Sequence, residues 1–286
     1  MNRREFLIRS AAGSAGLAMF PATLSGCTPR HDPLHDFGLI TNLVGKLMRE
    51  DHRKTMALLA EMGYRYLEFG GTWGEDPSRL SSYMDEIGLI PLAGGDSIYN
   101  LQGDGLRKNM DRCLEMGKKY LVCYWPWMDD GLNPTWDKVK LAVDESNRMG
   151  AVCNENGLRF ALHNHDLEFR GLDGRVIYDY ILEHTDPEGV TMEIDLYWAY
   201  KGGADIREYF RKYPGRFELV HVKDSYDSPD RESFACVGSG IIDFPDLFSY
   251  REKAGFRHLI VENDQPGEDE EGCARSSIEY LRSIDF

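Results

Sequence analysis

Short apolar runs recur along the chain, and most of them directly follow a glycine that ends a longer segment of mixed polarity. These glycines are Gly63, Gly88, Gly117, Gly157, Gly189, Gly215 and Gly255. A helix commonly terminates at a residue in the left-handed region of backbone space, which glycine adopts without a Cβ clash. The pattern therefore predicts seven joins at which a helix ends and a strand begins.

The apolar runs predict eight strands, the first of which has no glycine before it. They cover residues 37–41, 64–69, 89–93, 118–124, 158–162, 190–194, 216–222 and 256–261. The intervening segments predict helices over 51–62, 77–87, 104–116, 134–156, 174–185, 204–213, 244–254 and 272–284. Residue types that begin helices stand at three of the starts: Asp76 with Pro77, Asn133 with Pro134, and Asp243.

Alternation of strands and helices is typical of a parallel sheet with right-handed crossovers. Eight such units predict closure into a single-domain (β/α)8 TIM barrel, which we assign to residues 36–286. An open, doubly wound sheet is the alternative. It would more often carry a glycine-rich phosphate-binding turn after its first strand, and residues 41–45 (Thr-Asn-Leu-Val-Gly) lack that pattern.

Residues 1–26 have the features of an export signal. Arg3 and Arg4 form a twin arginine before a small, apolar stretch, and the Leu-Ser-Gly-Cys sequence that ends at Cys27 is similar to the lipobox of bacterial lipoproteins. We therefore expect an exported protein on the periplasmic side of the cell envelope, lipid-anchored at Cys27, with a tether over 27–35. A membrane-spanning anchor is the alternative, but the stretch is shorter than the ~20 residues that a span needs.

The net charge of −15 argues against nucleic acid as a partner, because phosphate backbones are held by clustered Lys and Arg. It favours small or uncharged ligands and divalent cations. Apart from Cys27 the cysteines are Cys113, Cys123, Cys153, Cys236 and Cys273, without close-paired spacing. We expect mostly buried free thiols and leave a disulfide open, since an exported protein meets an oxidising compartment.

Candidate metal ligands stand where the last four predicted strands end, the end at which barrel enzymes place their active sites. His163, Asp195 and His221 each lie six residues after a capping glycine, and Glu262 lies seven after. Equal counts predict a matched depth in the barrel. Imidazole and carboxylate ligands suit Mn²⁺, Zn²⁺, Co²⁺ or Mg²⁺. Each residue alone could be a hydrogen-bonded structural group; four together favour a metal, because buried unpaired charge is costly.

Candidate catalytic residues are Glu262, Glu168, His165 and Lys223. Glu262 or Glu168 could remove a proton, although Glu168 could also be a loop charge. His165 could be a ligand or a proton shuttle. Lys223 could polarise a substrate oxygen, with Asp224 orienting it, or could form a structural ion pair at the rim.

Candidate substrate-binding residues are Glu68, Trp125, Glu193, Trp198 and Asp224. Glu68 ends the second strand. Glu193 shares a strand face with Asp195 and is expected to point into the barrel as a partner of the metal ligands. Trp125 and Trp198 belong to a group of aromatic residues in the predicted rim loops, with Trp73, Tyr99, Tyr124, Trp127 and Tyr197. Such rings stack on the apolar faces of sugars, although some of them are expected only to pack.

Several of these runs together resemble a known family. They are Ala161-Leu162-His163-Asn164-His165, Asp195-Leu196-Tyr197-Trp198, His221-Val222-Lys223-Asp224, Gly238 to Phe244, and Val261-Glu262. The chain resembles the xylose isomerase-like TIM barrel superfamily and, within it, exported proteins called sugar phosphate isomerase/epimerases. The resemblance implies metal ligation by Asp195, His221 and Glu262. His163 stands where a glutamate is usual, so a second base would fall to Glu168 or Glu193.

The leading functional hypothesis is a metal-dependent isomerase or epimerase that acts on a keto-sugar or polyol ketone through an enediolate. A 3-keto-glycoside lyase or hydrolase on the same metal site is one alternative, and cleavage of a glycosidic bond would identify it. A non-catalytic sugar-binding lipoprotein is another, which would bind ligand without metal and without exchanging protons with solvent.

Overall fold

The computed structural model describes residues 33–286, which form a closed barrel of eight parallel strands. In chain order these are β1 (Gly38–Ile40), β2 (Tyr66–Glu68), β3 (Ile90–Ser97), β4 (Tyr120–Trp125), β5 (Arg159–His163), β6 (Val190–Asp195), β7 (Phe217–Val222) and β8 (His258–Val261). Each strand pairs with its neighbours in sequence, and β8 closes the barrel against β1. The predicted fold class is therefore confirmed, and the open sheet is excluded.

Helices surround the barrel: α1 (Gly45–Met62), α2 (Pro77–Glu86), α3 (Asp104–Glu115), α4 (Trp136–Glu155), α5 (Ile177–His184), α6 (Leu196–Lys201), α7 (Ile206–Lys212), α8 (Phe244–Phe248), α9 (Arg251–Ala254) and α10 (Glu270–Ser283). Two cores result. Apolar residues of the strand interior, including Ile40, Val122, Ala161 and Ile260, fill the barrel, while a larger layer packs between strands and helices.

The glycine punctuation is confirmed at six of the seven joins. Gly63, Gly88, Gly117, Gly157, Gly215 and Gly255 have positive φ angles between 73° and 96°. Gly189 is the exception because α5 already ends at His184, and the turn after it closes with a hydrogen bond from the Gly189 N–H to the Asp186 carbonyl.

Several predicted helix boundaries were wrong for identifiable reasons. Thr135 rather than Asn133 caps α4, since its hydroxyl accepts the Lys138 N–H. Residues 196–201, predicted as a rim loop, form α6, because the Asp195 carboxylate accepts the Trp198 N–H and starts a helix directly at the end of β6. The predicted helix at 244–254 is divided into α8 and α9. Asp76 and Asp243 cap α2 and α8 as expected.

The amino end of the barrel carries a buried polar cluster. Glu218 accepts hydrogen bonds from Arg159 at 2.9 Å and from the Tyr120 hydroxyl at 2.9 Å, and Arg257 lies 3.4 Å from the same carboxylate. The His258 ring meets the Tyr120 and Tyr66 rings edge-on. These contacts close the end of the barrel opposite to the predicted site.

Cys113, Cys123 and Cys153 are buried free thiols, as expected, while Cys236 and Cys273 form a disulfide that ties the segment after β7 to α10. None of the helices in residues 33–286 combines the length and apolarity that a membrane span requires. The predicted export signal at 1–26, the predicted lipidation site Cys27 and most of the predicted tether lie outside the described residues.

Candidate active site

The register of the strands sets the height of each candidate side chain. His163 pairs with Glu193 across β5 and β6, and Asp195 pairs with His221 across β6 and β7. On β8 the partner of His221 is Ile260, so Glu262 lies one side-chain layer higher, beside Lys223. The predicted matched depth is confirmed for Asp195 and His221 and was wrong for His163 and Glu262, because neighbouring strands of a closed barrel are staggered.

Three buried side chains from three strands bring ligand atoms together within 4.8 Å: His163, Glu193 and His221. His163 Nδ1 lies 3.0 Å and His221 Nε2 lies 3.4 Å from the same Glu193 oxygen. The other Glu193 oxygen is buried and has no hydrogen-bond partner. Imidazole and carboxylate donors with one unused oxygen fit a divalent metal, so this group could hold one.

The electrostatics of this group favour one positive charge among its side chains. Burial, with the nearby charges of His221, His165 and Lys223, lowers the pKa of His163 well below its ordinary value, which leaves the neutral imidazole that ligates metals. Burial acts in the same direction on His221, but the charges of Glu193 and Glu68 outweigh it and raise the pKa of His221 to about 10. The carboxylates that hold this proton favour a positive charge at His221, and a metal ion ligated by His221 would have to displace the proton.

Glu68 lies beneath this group. Its carboxylate accepts a hydrogen bond from the Tyr124 hydroxyl at 2.6 Å and lies 3.3 Å from His221 Nε2. Burial alone would raise the pKa of Glu68, but the charge and hydrogen bond of His221 lower it below its ordinary value. The pKa of Glu193 is raised well above the ordinary value by burial and by the Glu68 charge. Glu68 and Glu193 thus form a supporting pair below the cavity.

A second buried cluster surrounds the Lys223 ammonium. Lys223 Nζ hydrogen-bonds Asp264, lies 2.7 Å from a Glu262 oxygen and lies 3.8 Å from an Asp195 oxygen. Burial disfavours the charged lysine, but Glu262, Asp195 and Asp264 outweigh it and raise the pKa of Lys223. Burial raises the pKa of Glu262 to about 7, despite the adjacent ammonium. The cluster therefore combines a permanent cation with a carboxyl group that titrates near neutrality.

Side chains from both clusters line one cavity of about 260 Å³ at the carboxyl ends of the strands. Its walls include seven of the sequence-predicted site residues: His163, His165, Asp195, Trp198, His221, Lys223 and Glu262. Glu68, Glu168, Glu193, Trp125 and Asp224 are not among the cavity-lining residues. A cavity of about the size of a monosaccharide therefore lies at the predicted site.

Glu168 lies behind the cavity wall and holds the backbone of the wall residue His165. It is buried, and its two oxygens accept the Trp127 indole N–H at 2.6 Å and the His165 backbone N–H at 2.7 Å. Burial raises the pKa of Glu168 to about 7. Since its carboxyl group fixes the backbone of His165 rather than lining the cavity, Glu168 is placed as a positioning residue.

His165 projects into the cavity between two indoles. Its ring centroid lies 5.1 Å from that of Trp125 and 5.5 Å from that of Trp198. Burial, followed by the Lys223 charge, lowers the pKa of His165 to about 4. His165 therefore offers a neutral imidazole to a ligand at neutral pH.

An ion pair that lies against the cavity-lining Trp198 connects two loops. Arg231 bonds the Asp166 carboxylate at 2.7 Å, and its guanidinium lies 4.4 Å from the centre of the Trp198 ring. This contact connects the loop after β5 with the loop after β7. Trp198, expected in a rim loop, instead belongs to α6 and is only 4% exposed.

Asp224 shapes a loop and does not orient Lys223 through its carboxylate contacts. It accepts the backbone N–H groups of Gly238, Gly240 and Ile242 at 2.9 to 3.1 Å. A Cβ at Gly240 would lie 2.4 Å from an Asp224 oxygen, which explains the glycine there. The Gly238-x-Gly240 sequence is therefore a turn organised around a buried carboxylate.

Three polar residues of the cavity wall were not assigned to the site from the sequence in these roles: Asn42, Tyr124 and Asp264. Asp264 could have been found, because it follows Glu262 by the two-residue period of an extended chain. Tyr124 was expected only as an aromatic surface, and its hydrogen bond to Glu68 crosses 56 residues of sequence. Asn42, in the turn after β1, carries no pattern that would single it out.

Comparison with known proteins identifies the family. Residues 56–284 match the xylose isomerase-like TIM barrel, and the chain belongs to this family. It is 28% identical over 256 residues to the inosose dehydratase of Geobacillus thermodenitrificans, an alignment that covers 78% of this chain and 84% of the relative.

Solved structures agree with this assignment. The sugar phosphate isomerase/epimerase from Parabacteroides distasonis ATCC 8503 superposes with a TM-score of 0.76 at 25% identity, covering 93% of this chain and 99% of the other. The IOLI protein with a bound zinc atom shares the fold at 18% identity, with a TM-score of 0.67 over 86% of this chain and 95% of the other. The predicted family is confirmed, and its members point to an enzyme that modifies sugar-like molecules.

Proposed function

We propose that this protein is a metal-dependent isomerase or epimerase that moves a proton next to the carbonyl of a keto-sugar or related polyol ketone. One observation carries the proposal: the two histidines of a buried His–Glu–His group that could hold a metal line the same cavity as the Glu262 carboxyl group, whose pKa is raised to about 7. Carbonyl isomerisation needs both parts, an electrophile for the oxygen and a base for the adjacent proton.

His163, Glu193 and His221 would hold the ion, and Mn²⁺, Zn²⁺, Co²⁺ or Mg²⁺ are the candidates that these donor types allow. When bound, a divalent metal supplies Lewis-acid stabilisation for charge that develops on the substrate oxygen. This assignment keeps His163 and His221 from the sequence expectation and adds Glu193. Asp195 and Glu262 are instead assigned to the neighbouring cluster around Lys223.

Glu262 is proposed as the base that takes and returns the proton. It lines the cavity, and burial places its pKa close to the pH at which a base both accepts and releases protons readily. Lys223 holds one Glu262 oxygen at 2.7 Å. An ammonium has three N–H donors and Lys223 gives one in hydrogen-bond geometry to Asp264, so another can bind a substrate oxygen.

His165 and Trp198 are proposed to orient the sugar. His165 presents a neutral imidazole as a hydrogen-bonding partner, and its backbone is fixed by Glu168. Trp198 offers the edge of a rigid aromatic surface between His165 and Arg231. These groups exclude water and restrict the orientations that a ring can adopt.

A second candidate reaction begins with the same proton removal and continues by loss of a leaving group. Similarity to an inosose dehydratase favours this variant, because dehydration next to a ketone expels hydroxide after the proton is removed. A 3-keto-glycoside lyase would expel a sugar in the same manner.

Location at the cell envelope, with lipidation at Cys27, is part of the proposal and is tested by the mass of the mature N-terminus.

Proton exchange with solvent tests the function. The Mn²⁺-loaded and Zn²⁺-loaded protein would be incubated with keto-sugars, inososes and 3-keto-glycosides in D₂O, and deuterium next to the carbonyl would be followed by NMR. We expect exchange by the wild type and a loss of about 100-fold or more in Glu262→Gln, since general-base catalysis contributes on that order. Glu279→Gln, at an exposed glutamate of α10, serves as the matched control.

Two results would count against the proposal. Exchange by Glu262→Gln at the wild-type rate would remove Glu262 from the base role. Binding of these sugars without any exchange would favour a sugar-binding protein. Exchange accompanied by release of water or of a free sugar would select the elimination variant over isomerisation.

A further inference from the structure

We propose that the Cys236–Cys273 disulfide is a redox switch for the cavity, which holds the turn after β8 in place when oxidised and releases it when reduced. That turn carries Glu262 and Asp264, both of which line the cavity. The inference goes beyond the proposed function and rests on it only for the role of Glu262 as the base. It predicts that the protein reaches full activity only in an oxidising compartment.

The disulfide connects the segment after β7 with α10 and encloses the chain between them. Cys236 follows the short strand Phe234–Ala235, and Cys273 lies in the first turn of α10, 37 residues further along the chain. The helices α8 and α9, the strand β8 and the turn after it all belong to the enclosed stretch. A cross-link restricts the conformations of the chain that it closes, so its loss gives this stretch more freedom.

A sulfur of the disulfide contacts the turn after β8 directly. Asn263 lies between Glu262 and Asp264 and is 1% exposed. Its Nδ2 donates a hydrogen bond to Cys273 Sγ at 3.8 Å, and its Oδ1 accepts the Gln265 backbone N–H at 2.9 Å. The Asn263 amide therefore connects the sulfur to the backbone of the turn. After reduction the Cys273 thiol can change its rotamer and leave this amide.

The other cysteine fixes a strand that packs behind the cavity wall. Two residues before Cys236, the centre of the Phe234 ring lies 5.7 Å from that of Trp198, which lines the cavity. Noncovalent contacts also hold this segment, since the Val237 N–H donates to Ser277 Oγ on α10 at 3.2 Å. Neither cysteine belongs to a strand of the barrel. Reduction should therefore loosen the cavity wall and leave the barrel folded.

The chemistry is a thiol–disulfide exchange with a dithiol reductant. Cys236 is partly exposed and Cys273 is buried, so a reductant thiolate reaches the Cys236 sulfur first. Its attack forms a mixed disulfide and breaks the protein S–S bond, and Cys273 leaves as a thiolate that takes a proton from water. The second thiol of the reductant then closes its own disulfide and releases Cys236 as a thiol. Two electrons pass to the protein, and oxidised glutathione reverses the reaction.

Hydrogen–deuterium exchange of the backbone amides tests the switch. Oxidised protein would be compared with protein reduced by dithiothreitol without denaturant, and alkylation with peptide mass analysis would confirm two new thiols, at Cys236 and Cys273. We expect the amides of 233–242 and 262–266 to exchange about tenfold faster or more after reduction, and those of β4 and β5 to change by less than about twofold. Oxidised glutathione should restore slow exchange.

Two variants serve as controls. Cys236→Ser/Cys273→Ser should exchange like the reduced wild type and should not respond to dithiothreitol. Cys153→Ala, which removes a buried free thiol, should keep the wild-type response. The central comparison does not depend on the folding of either variant, because the wild type is reduced after it has folded.

Three results would overturn the inference. Unchanged exchange of 262–266 after confirmed reduction would show that the disulfide does not hold the turn. A disulfide that dithiothreitol opens only in denaturant would not be a switch. Faster exchange throughout the barrel would make the bond a general cross-link of the fold.

The D₂O assay separates this inference from the proposed function. Reduced protein, freed of dithiothreitol and loaded with Mn²⁺, should move the substrate proton about tenfold more slowly than oxidised protein, because a small misplacement of the base slows the reaction. An equal rate in both forms would remove the link to the cavity. No proton movement in either form, with the amide response intact, would remove the proposed function and leave the redox response of the turn standing.

Discussion

The two ends of the barrel both bury charged side chains, but they differ in how the carboxylate oxygens are used. At the amino end, both oxygens of Glu218 have partners, Arg159 and Tyr120. At the carboxyl end, Glu193 and Asp195 each have one buried oxygen without a hydrogen-bond partner, and the buried Glu262 oxygen is paired only with the Lys223 ammonium at 2.7 Å. An unsatisfied buried polar group costs about 1–3 kcal/mol, so a cluster of them is retained where it binds something. The comparison separates a structural cluster from a functional one.

Exchanging the carboxylates by amides should give opposite results at the two ends. We expect Glu262→Gln to reduce proton exchange by about 100-fold or more, with a small change in the free energy of unfolding. Glu218→Gln should lower the free energy of unfolding by about 1 kcal/mol, because it weakens a partly buried ion pair with Arg159, and should leave the exchange rate within about threefold. Urea unfolding and the D₂O assay measure the two quantities.

The comparison fails if both variants respond alike. If the Glu218→Gln protein loses activity while it remains fully folded, the amino end of the barrel affects the chemistry. A Glu262→Gln protein that unfolds readily would mean that the cluster around Lys223 is chiefly structural.

A smaller effect is expected at the amino end, in how the free energy of unfolding depends on pH. Burial, with the Lys119 charge, lowers the pKa of His258 to about 4. The unfolded chain therefore binds a proton near pH 6.5 that the folded chain refuses until about pH 4, so the stability is lost as the pH falls through this window. His258→Phe keeps a ring against Tyr66 and Tyr120 but has no group to protonate. Between pH 7 and pH 4 we expect its free energy of unfolding to fall by about 2 kcal/mol less than that of the wild type.

Unfolding curves at pH 7, 6, 5 and 4 measure this difference. An identical pH dependence in His258→Phe and in the wild type would show that His258 is not held neutral by its surroundings. Activity at pH 7 should be the same in both, since the ring lies at the end of the barrel opposite to the cavity.

Most of the fold was predictable because its signals are local. A glycine with positive φ after a helix, such as Gly63 or Gly255, marks the join by its own backbone requirement. Eight apolar runs then fix the number of strands. The helix α6 was missed because Asp195 serves both as the last residue of β6 and as the cap of the helix, so no polar turn separates them.

The site was predictable in its position and less so in its internal pairing. Counting from glycines located His163, Asp195 and His221 at strand ends but could not give the stagger between strands, which depends on how the sheet closes. That stagger places Glu193, not Asp195, opposite His163. Likewise, the ion pair of Lys223 with Glu262 joins two strands whose heights only the closed barrel defines.

The central claim is that a divalent ion binds among His163, Glu193 and His221, with Lys223 holding the neighbouring carboxylates. An anomalous difference map from crystals grown with Zn²⁺, collected at the zinc edge, tests it most directly. We predict one peak within bonding distance of these three side chains, with Lys223 still paired to Glu262. A peak coordinated by Asp195 and Glu262 with Lys223 displaced, or no peak at either cluster, would contradict it.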